Sequence, residues 1–278
     1  MATTASLSTA LPAVPGQARR VLLSTAVGIV LVGLLGWAWI GTVNLENLLT
    51  AGPRFADFVA RMLPPDLTLS YTEPTLFPPP LRIAAAAVAV TLQISILGTA
   101  LAMIAALVLG FLGAENLTPH WVHHPIKIVL AVGRSIPIIL LALLFMTALG
   151  LGPLPGVLAI AIHSIGMLGK LFADECETVD GGVWEAMDST GANWLQKIRY
   201  AIWPQVSAQI YSLTLFRLDM NLRESAVLGL VGVAGLGLWI ENYRAVFNYQ
   251  AVATMVIVTM LVVLFVDQTS VYIRRRLK

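Results

Sequence analysis

Arg217, Asp219, Asn221, Arg223 and Glu224 place two cations, two carboxylates and an amide within eight positions of an otherwise apolar run. If that run crosses a bilayer from a start near residue 206, a rise of about 1.5 Å per residue puts them roughly 16–27 Å along it. A charge at such a depth costs at least about 2.5–3.5 kcal/mol unless it is paired or faces water. Asp219 and Arg223 are four apart and can pair on one helix face, while Arg217 and Asn221 share another with Glu224 three beyond. Two kinds of chemistry satisfy the requirement. The group can form a nearly self-neutralising network that pins helices or a dimer seam, or it can line a polar path in which the arginines hold the oxygens of a passing oxyanion. His163, in the middle of the preceding apolar run, and Arg134, in the run before that, are the other ionisable candidates for such a path. Their alternative roles are a neutral imidazole bonded across helices and an arginine snorkelling to the headgroups. Thr91, Gln93 and Ser95 offer neutral donors further upstream.

A second constellation lies between two apolar runs. Glu185, Ala186, Asp188, Gly191 and Pro204 punctuate an amphiphilic segment, and a segment of that kind belongs at or beyond the lipid headgroups. Gly181 and Gly182 are expected to break the chain, after which residues 183–190 suit a short helix whose acidic first turn, Glu185 and Asp188, complements its positive end. Gly191 can take a positive φ and turn the chain. Trp194, Leu195, Ile198 and Ile202 then recur at helical spacing, with Gln196, Lys197 and Arg199 facing elsewhere. Pro204 marks a break where the next span begins. The product is a helix, a hinge and a helix lying across the membrane surface, reachable from the water.

Composition dictates the elements that position these residues. At 58% hydrophobic and 12% charged, with mean hydropathy +0.82, the chain has too few charges to cover a soluble globule of 278 residues. It reads as an all-α, polytopic integral membrane protein. The net charge of +2, with no basic run interleaved with aromatics, argues against a nucleic-acid partner. The single cysteine, Cys176, excludes an internal disulfide and a cysteine-cluster metal site. Spans are expected at 21–40, 82–113, 126–149, 154–172, 206–232 and 250–272, about six in all, the second long enough to tilt or project. Residues 1–20 read as a disordered tail and 21–278 as one transmembrane domain. The prolines at 53, 64, 65, 74, 78, 79 and 80 turn 41–80 into an extracytoplasmic excursion with one short surface helix near 51–63. Lysine and arginine orient the whole. With both termini in the cytoplasm, Arg19, Arg20, Lys127, Arg134, Lys170, Lys197, Arg199, Arg274, Arg275, Arg276 and Lys278 lie inside or at the inner boundary, against Arg54, Arg61, Arg82 and Arg244 outside. That orientation puts the loop 173–205 in the cytoplasm.

The order Glu185-Ala186, Gly191 six residues after the glutamate and Pro204 thirteen after the glycine resembles the EAA loop of ABC importer permeases. Met187, Ala201 and Trp203 depart from that pattern at packing positions. The flanks, from His163 to Phe172 and from Arg217 to Gly232, together with Arg134-Ser135-Ile136-Pro137, resemble the phosphonate importer permease family over roughly residues 130–278. The resemblance implies a type I ABC importer permease fold in a bacterial inner membrane, working as a homodimer. It implies two cytoplasmic ATP-binding subunits that carry ATP and magnesium, and an extracytoplasmic substrate-binding protein. In such a system the loop 183–204 is the coupling helix that docks on the ATPase, and the cargo is a phosphonate, a phosphite or a related phosphorus oxyanion, with phosphate or another small anion as the alternative. This chain would hold no cofactor or metal and break no bond. Gly229, Gly232, Gly235 and Gly237, near the outer end of the fifth span, would by resemblance help form an outer gate; as residues they allow close helix packing or an irregular turn. Trp239, Tyr243, Phe247 and Tyr249 fit an interfacial aromatic belt.

Other classes make different demands on the same residues. An ion-coupled secondary transporter would use Arg217, Asp219 and His163 as a relay and need no ATPase. An intramembrane enzyme would need a nucleophile and base at catalytic spacing, but no H-E-x-x-H occurs and the lone Cys176 lies in a charged cytoplasmic stretch. Gly169-Lys170 invites a phosphate-loop reading, but position 164 is serine rather than the required glycine and the segment ends a span, so ATP hydrolysis belongs to a partner.

Overall fold

The computed structural model describes residues 17–40, 45–71 and 75–277. They fall into two compact units, one ending at Ala60 and one from Arg61 onward. The first contains α1 (Gln17–Ile40), an apolar helix whose side chains from Leu23 to Trp37 are exposed. Residues 1–16 of the expected tail lie outside the described residues; Gln17 to Arg20 already belong to α1. The surface helix of the excursion is α2 (Leu45–Met62), longer at its start than the prolines suggested, because it tolerates Pro53 inside it.

The second unit is a helical bundle built on α3 (Pro80–Gly113) and α6 (Pro153–Glu177). α3 runs 34 residues, about 50 Å, with Pro80 at its start, where a missing N–H does no harm. Gly98, Ala102, Ala106 and Gly110 recur every fourth residue along one face of α3, and all are buried. A Cβ at Gly98 would stand 2.6 Å from Ile160 Cγ2, and one at Gly110 would stand 2.7 Å from Phe172 Cβ. The stripe of small residues therefore lets the two backbones approach closely, as membrane helices must where packing rather than dehydration drives association.

The expected span 126–149 is instead two helices, α4 (His120–Ser135) and α5 (Ile138–Leu149), bent by 85°. Pro137 is the cause: it forbids the helical conformation at Ile136, which is extended with φ −80° and ψ 121°, and it caps α5. α4 lies on α6 through Gly166 and Gly169. A Cβ at Gly166 would meet Arg134 N at 2.5 Å, and one at Gly169 would meet Leu130 Cδ2 at 2.6 Å.

After α6 come the short helices α7 (Gly181–Ser189) and α8 (Trp194–Lys197), a wide π turn over Ile198–Ile202, then α9 (Trp203–Leu228), α10 (Leu236–Ala245) and α11 (Tyr249–Leu277). Among the described residues α3, α6, the run containing α9, and α11 are long and apolar enough to span, and the bent pair α4–α5 makes a fifth; α1 carries a shorter apolar stretch from Leu23 to Trp37.

Within this unit the chain near Asp66 is tied to the start of the last helix, at Gln250 and Thr254. The Asp66 backbone N–H donates to the Gln250 carbonyl (3.2 Å), and the Asp66 carbonyl accepts from Thr254 Oγ1 (2.6 Å). Partial burial pushes the Asp66 carboxyl up, but hydrogen bonds from Thr68 and Tyr71 more than offset this and hold it below the usual carboxylate range.

Candidate functional site

α7 opens at Gly181 rather than after it. Asp180 accepts a hydrogen bond from Gly182 N (3.0 Å) and caps the helix, so the two glycines begin an element instead of interrupting one. Glu185 consequently lies mid-helix and Asp188 in the last turn, not the first, where an acid opposes the helix dipole. Lys197 compensates it. The ammonium of Lys197 pairs with Asp188 and stands 4.5 Å from the centroid of the Trp184 ring, clasping α7 to α8.

Between them Gly191 has φ +72°, the conformation that makes a sharp turn cheap for glycine alone. Asn193 and Gln196 then form a reciprocal capping box, with bonds of 2.8 and 2.9 Å. Trp194 Nε1 donates to the Leu117 carbonyl in the α3–α4 turn (3.0 Å), while Trp184 and Met187 pack against a core that includes Phe172, Ile202 and Val206. Glu185, Ala186 and Ser189 to Gly191 are left exposed, as is Leu195.

At Pro204 the chain does not break. Its absent N–H falls in the first turn of α9, and the preceding π turn closes with Trp203 N bonded to the Ile198 carbonyl. From Trp194 onward the chain is thus one continuous helical path into α9, and α7 is held to its start by the Lys197 clasp.

That path leads to the charged cluster. Arg217 is 2% exposed and donates through Nε to Ser164 Oγ (3.0 Å) and through Nη2 to Glu224 Oε2 (2.9 Å), two turns along its own helix. Asn221 bridges the other helices: Nδ2 donates to Thr99 Oγ1 (2.7 Å) on α3, and Oδ1 accepts from Ser164 Oγ (3.1 Å) on α6. Ser95 extends the network to Ser225 (3.0 Å). Arg223 pairs with Asp219 at 2.7 Å, as the spacing required. The second carboxylate oxygen of Asp219 is buried with no partner among the described residues.

Arg217 and Asn221 therefore pin α9 to α3 and α6, whereas Arg223, 53% exposed at its side chain, faces outward from that knot. His163 Nδ1 lies 3.1 Å from the Ile136 carbonyl, which the α4–α5 break leaves without a helical donor. A carbonyl can only accept, so Nδ1 carries the proton. Arg134 is not part of the cluster. It lines a separate cavity with Lys127 and Lys170.

The residues from 98 to 278 match the family described as binding-protein-dependent transport system inner membrane component. The chain belongs to that family. It is 34% identical to the phosphite transport system permease protein PtxC of Stutzerimonas stutzeri, over 89% of this chain and 86% of that one. It is 38% identical to the phosphate-import permease protein PhnE of Mycolicibacterium smegmatis, over 86% of this chain and 43% of that longer one. In fold it resembles the inward-facing MetNI methionine ABC transporter, with a TM-score of 0.64 at 18% identity, covering 71% of this chain and 97% of that one.

In this inner membrane component the four glycines at the end of α9 act mainly as a crossing. A Cβ at Gly237 would stand 1.9 Å from the Ala226 carbonyl, and one at Gly229 would stand 2.4 Å from Gly237 Cα, so α9 and α10 touch backbone to backbone. Gly232 and Gly235 have φ of +104° and +113° and make the turn between them. Thr91 Oγ1 accepts from Leu236 N (2.9 Å) and holds the start of α10. Gln93 is exposed. Two of the aromatics expected at the bilayer interface pack on a shared neighbour: Trp239 and Tyr243 meet Phe77 edge-on at 6.1 and 6.0 Å, and Tyr243 OH donates to the Pro78 carbonyl (2.5 Å). The excursion supplies their partner, which no periodicity within α10 reveals. The Lys197 clasp also escaped sequence reasoning, since it joins residues of two separate helices across a turn.

Proposed function

We infer that this chain is the membrane-spanning permease subunit of an ATP-driven importer for a phosphonate, phosphite or phosphate, and that residues 181–202 are its docking piece for a cytoplasmic ATPase. The observation that carries the inference is the geometry of that segment: α7 is exposed at Glu185 and Ala186 and turns sharply at Gly191, Lys197 clasps it to α8, and α8 is helically continuous with α9. A grip on α7 is thereby a grip on the helix bearing Arg217 to Glu224. The similarity to permeases named for phosphite and phosphate supports the cargo class. In this reading two copies pair, two ATPases bind from the cytoplasm with ATP and magnesium, and an external binding protein delivers the oxyanion. ATP-driven closure of the ATPases swings the docked helices and opens the spans outward, hydrolysis restores the inward state, and the permease itself breaks no bond. Both termini lie in the cytoplasm of a bacterial inner membrane. The exposed guanidinium of Arg223 and the half-buried His163 are the side chains best placed to meet a phosphorus-bound oxygen, because Arg217 and Asn221 are fully engaged.

The test is uptake by proteoliposomes holding the chain with its co-eluting ATPase and binding protein. ATP should drive entry of labelled phosphite or phosphonate. Glu185→Lys and Gly191→Pro should leave the chain inserted while uptake falls at least about ten-fold and ATP hydrolysis no longer tracks it. Normal coupled uptake in both variants would refute docking through this segment. Uptake driven by an ion gradient alone, with no ATPase present, would instead establish the secondary-transporter reading.

A further inference from the structure

Between α4 and α6, where α6 changes from apolar residues to Lys170, Asp174 and Glu177, lies a cavity of about 250 Å³. Lys127, Arg134, Lys170 and Asp174 surround an apolar wall of Leu130 and Ala173. Two of the three cations are already paired. Lys127 bonds Glu115 (2.7 Å) and Glu177 (2.9 Å), neither of which lines the cavity, and Lys170 bonds Asp174 (2.5 Å). Arg134 has no carboxylate within ion-pair distance among the described residues, so the uncompensated charge of the cavity sits there.

A guanidinium offers two parallel N–H donors to a phosphate group, and a nearby ammonium adds a point charge. The level at which an apolar helix turns charged is the level of the headgroups, where basic pockets between spans take anionic lipid. Next to Arg134 on α4, Ile128, Val129 and Val132 are exposed, as are Leu140, Leu143 and Leu144 of α5. A free inorganic ion would make no use of that apolar surface. We propose that the cavity binds the phosphate of an anionic phospholipid, with Arg134 as the principal cation, Lys170 as the second, and the acyl chains lying along α4.

The proposal does not depend on what the chain transports. A bound lipid would press α4 onto α6 at the end of the bundle where Lys127 ties down the α3–α4 turn and Leu117 of that turn holds Trp194.

The full chain, purified in a zwitterionic detergent, can be titrated with phosphatidylglycerol, phosphatidylcholine or inorganic phosphate while native mass spectrometry and thermal unfolding are followed. Phosphatidylglycerol should be retained and should raise the unfolding temperature, and phosphatidylcholine should do neither. Arg134→Gln should weaken retention about five-fold and the Arg134→Gln, Lys170→Gln pair about 25-fold, at roughly a factor of five per cation near a lipid surface. Arg134→Lys should keep most of the binding. Equal retention of the two lipids, or unchanged retention in the double variant, would overturn the proposal. So would inorganic phosphate that stabilises the chain and displaces phosphatidylglycerol at millimolar concentration, which would assign the cavity to the free ion.

Discussion

Among the described glycines the space for a side chain is smallest at Gly237, while Asn221 bridges α9 to two other helices by hydrogen bonds. The two residues hold the molecule by opposite means, and magnitudes separate them. Hydrogen bonds between helices inside a bilayer average about 0.6 kcal/mol, so the two that the Asn221 side chain makes with Thr99 and Ser164 contribute about 1 kcal/mol together. Forcing a methyl into a full contact costs about 1–3 kcal/mol. The Cβ of Gly237→Ala would stand 1.9 Å from a carbonyl oxygen, and backbone cannot swing aside as a side chain does. Gly237→Ala should therefore destabilise the folded protein more than Asn221→Ala, by about 2 kcal/mol, in denaturant unfolding of the detergent-solubilised chain. Equal losses would mean that α10 is free to lift off α9.

The α3–α4 turn shows what an element owes to charges that sequence order does not connect. Lys127 on α4 reaches Glu115 in the turn and Glu177 at the end of α6. The hydrogen bond from Lys127 holds the Glu115 carboxyl below its usual range. A depressed folded pKa contributes stability above the unfolded pKa, and that contribution is lost as pH falls through the folded value. Hydrogen exchange in residues 114–119 should accordingly rise as pH drops below the ordinary carboxylate range, after correction for intrinsic exchange. Glu115→Gln should show the fast exchange at neutral pH, and a pH-independent profile in the native chain would contradict the tie. Elements differed in how far the sequence disclosed them. Gly191 was readable because a positive φ has one cheap occupant, and the Asp219–Arg223 pair because four residues make one helical turn. The two-part third span was not, although Pro137 stood in plain view: its flanks are equally apolar, so hydropathy runs straight across a right-angle bend. The α3 stripe of Gly98, Ala102, Ala106 and Gly110 was overlooked for a related reason, since small apolar residues add to hydropathy while saying nothing of what presses on them. The true start of α7 depended on a cap at Asp180 that only the fold reveals.

Across the whole molecule, the charged helix has a fixed side and a free side. Arg217→Met should strand Glu224 and cost about 3 kcal/mol, as breaking a buried pair does. Arg223→Gln should cost less, about 1 kcal/mol, because the arginine end of the pair is exposed and the amide can still donate to the buried Asp219. On the transport reading, oxyanion uptake should nevertheless fall in Arg223→Gln while its unfolding stays near that of the native chain. Matching stability losses in the two variants would place both arginines in the fixed network. The wide turn at Ile198–Ile202 separates this helix from the exposed segment, and it has a consequence for phase. A π turn holds one residue more than an α turn, and one residue is about 100° of rotation and 1.5 Å of rise. Set one residue out of α phase, the wide turn thus fixes which faces of α8 and α9 stand in line.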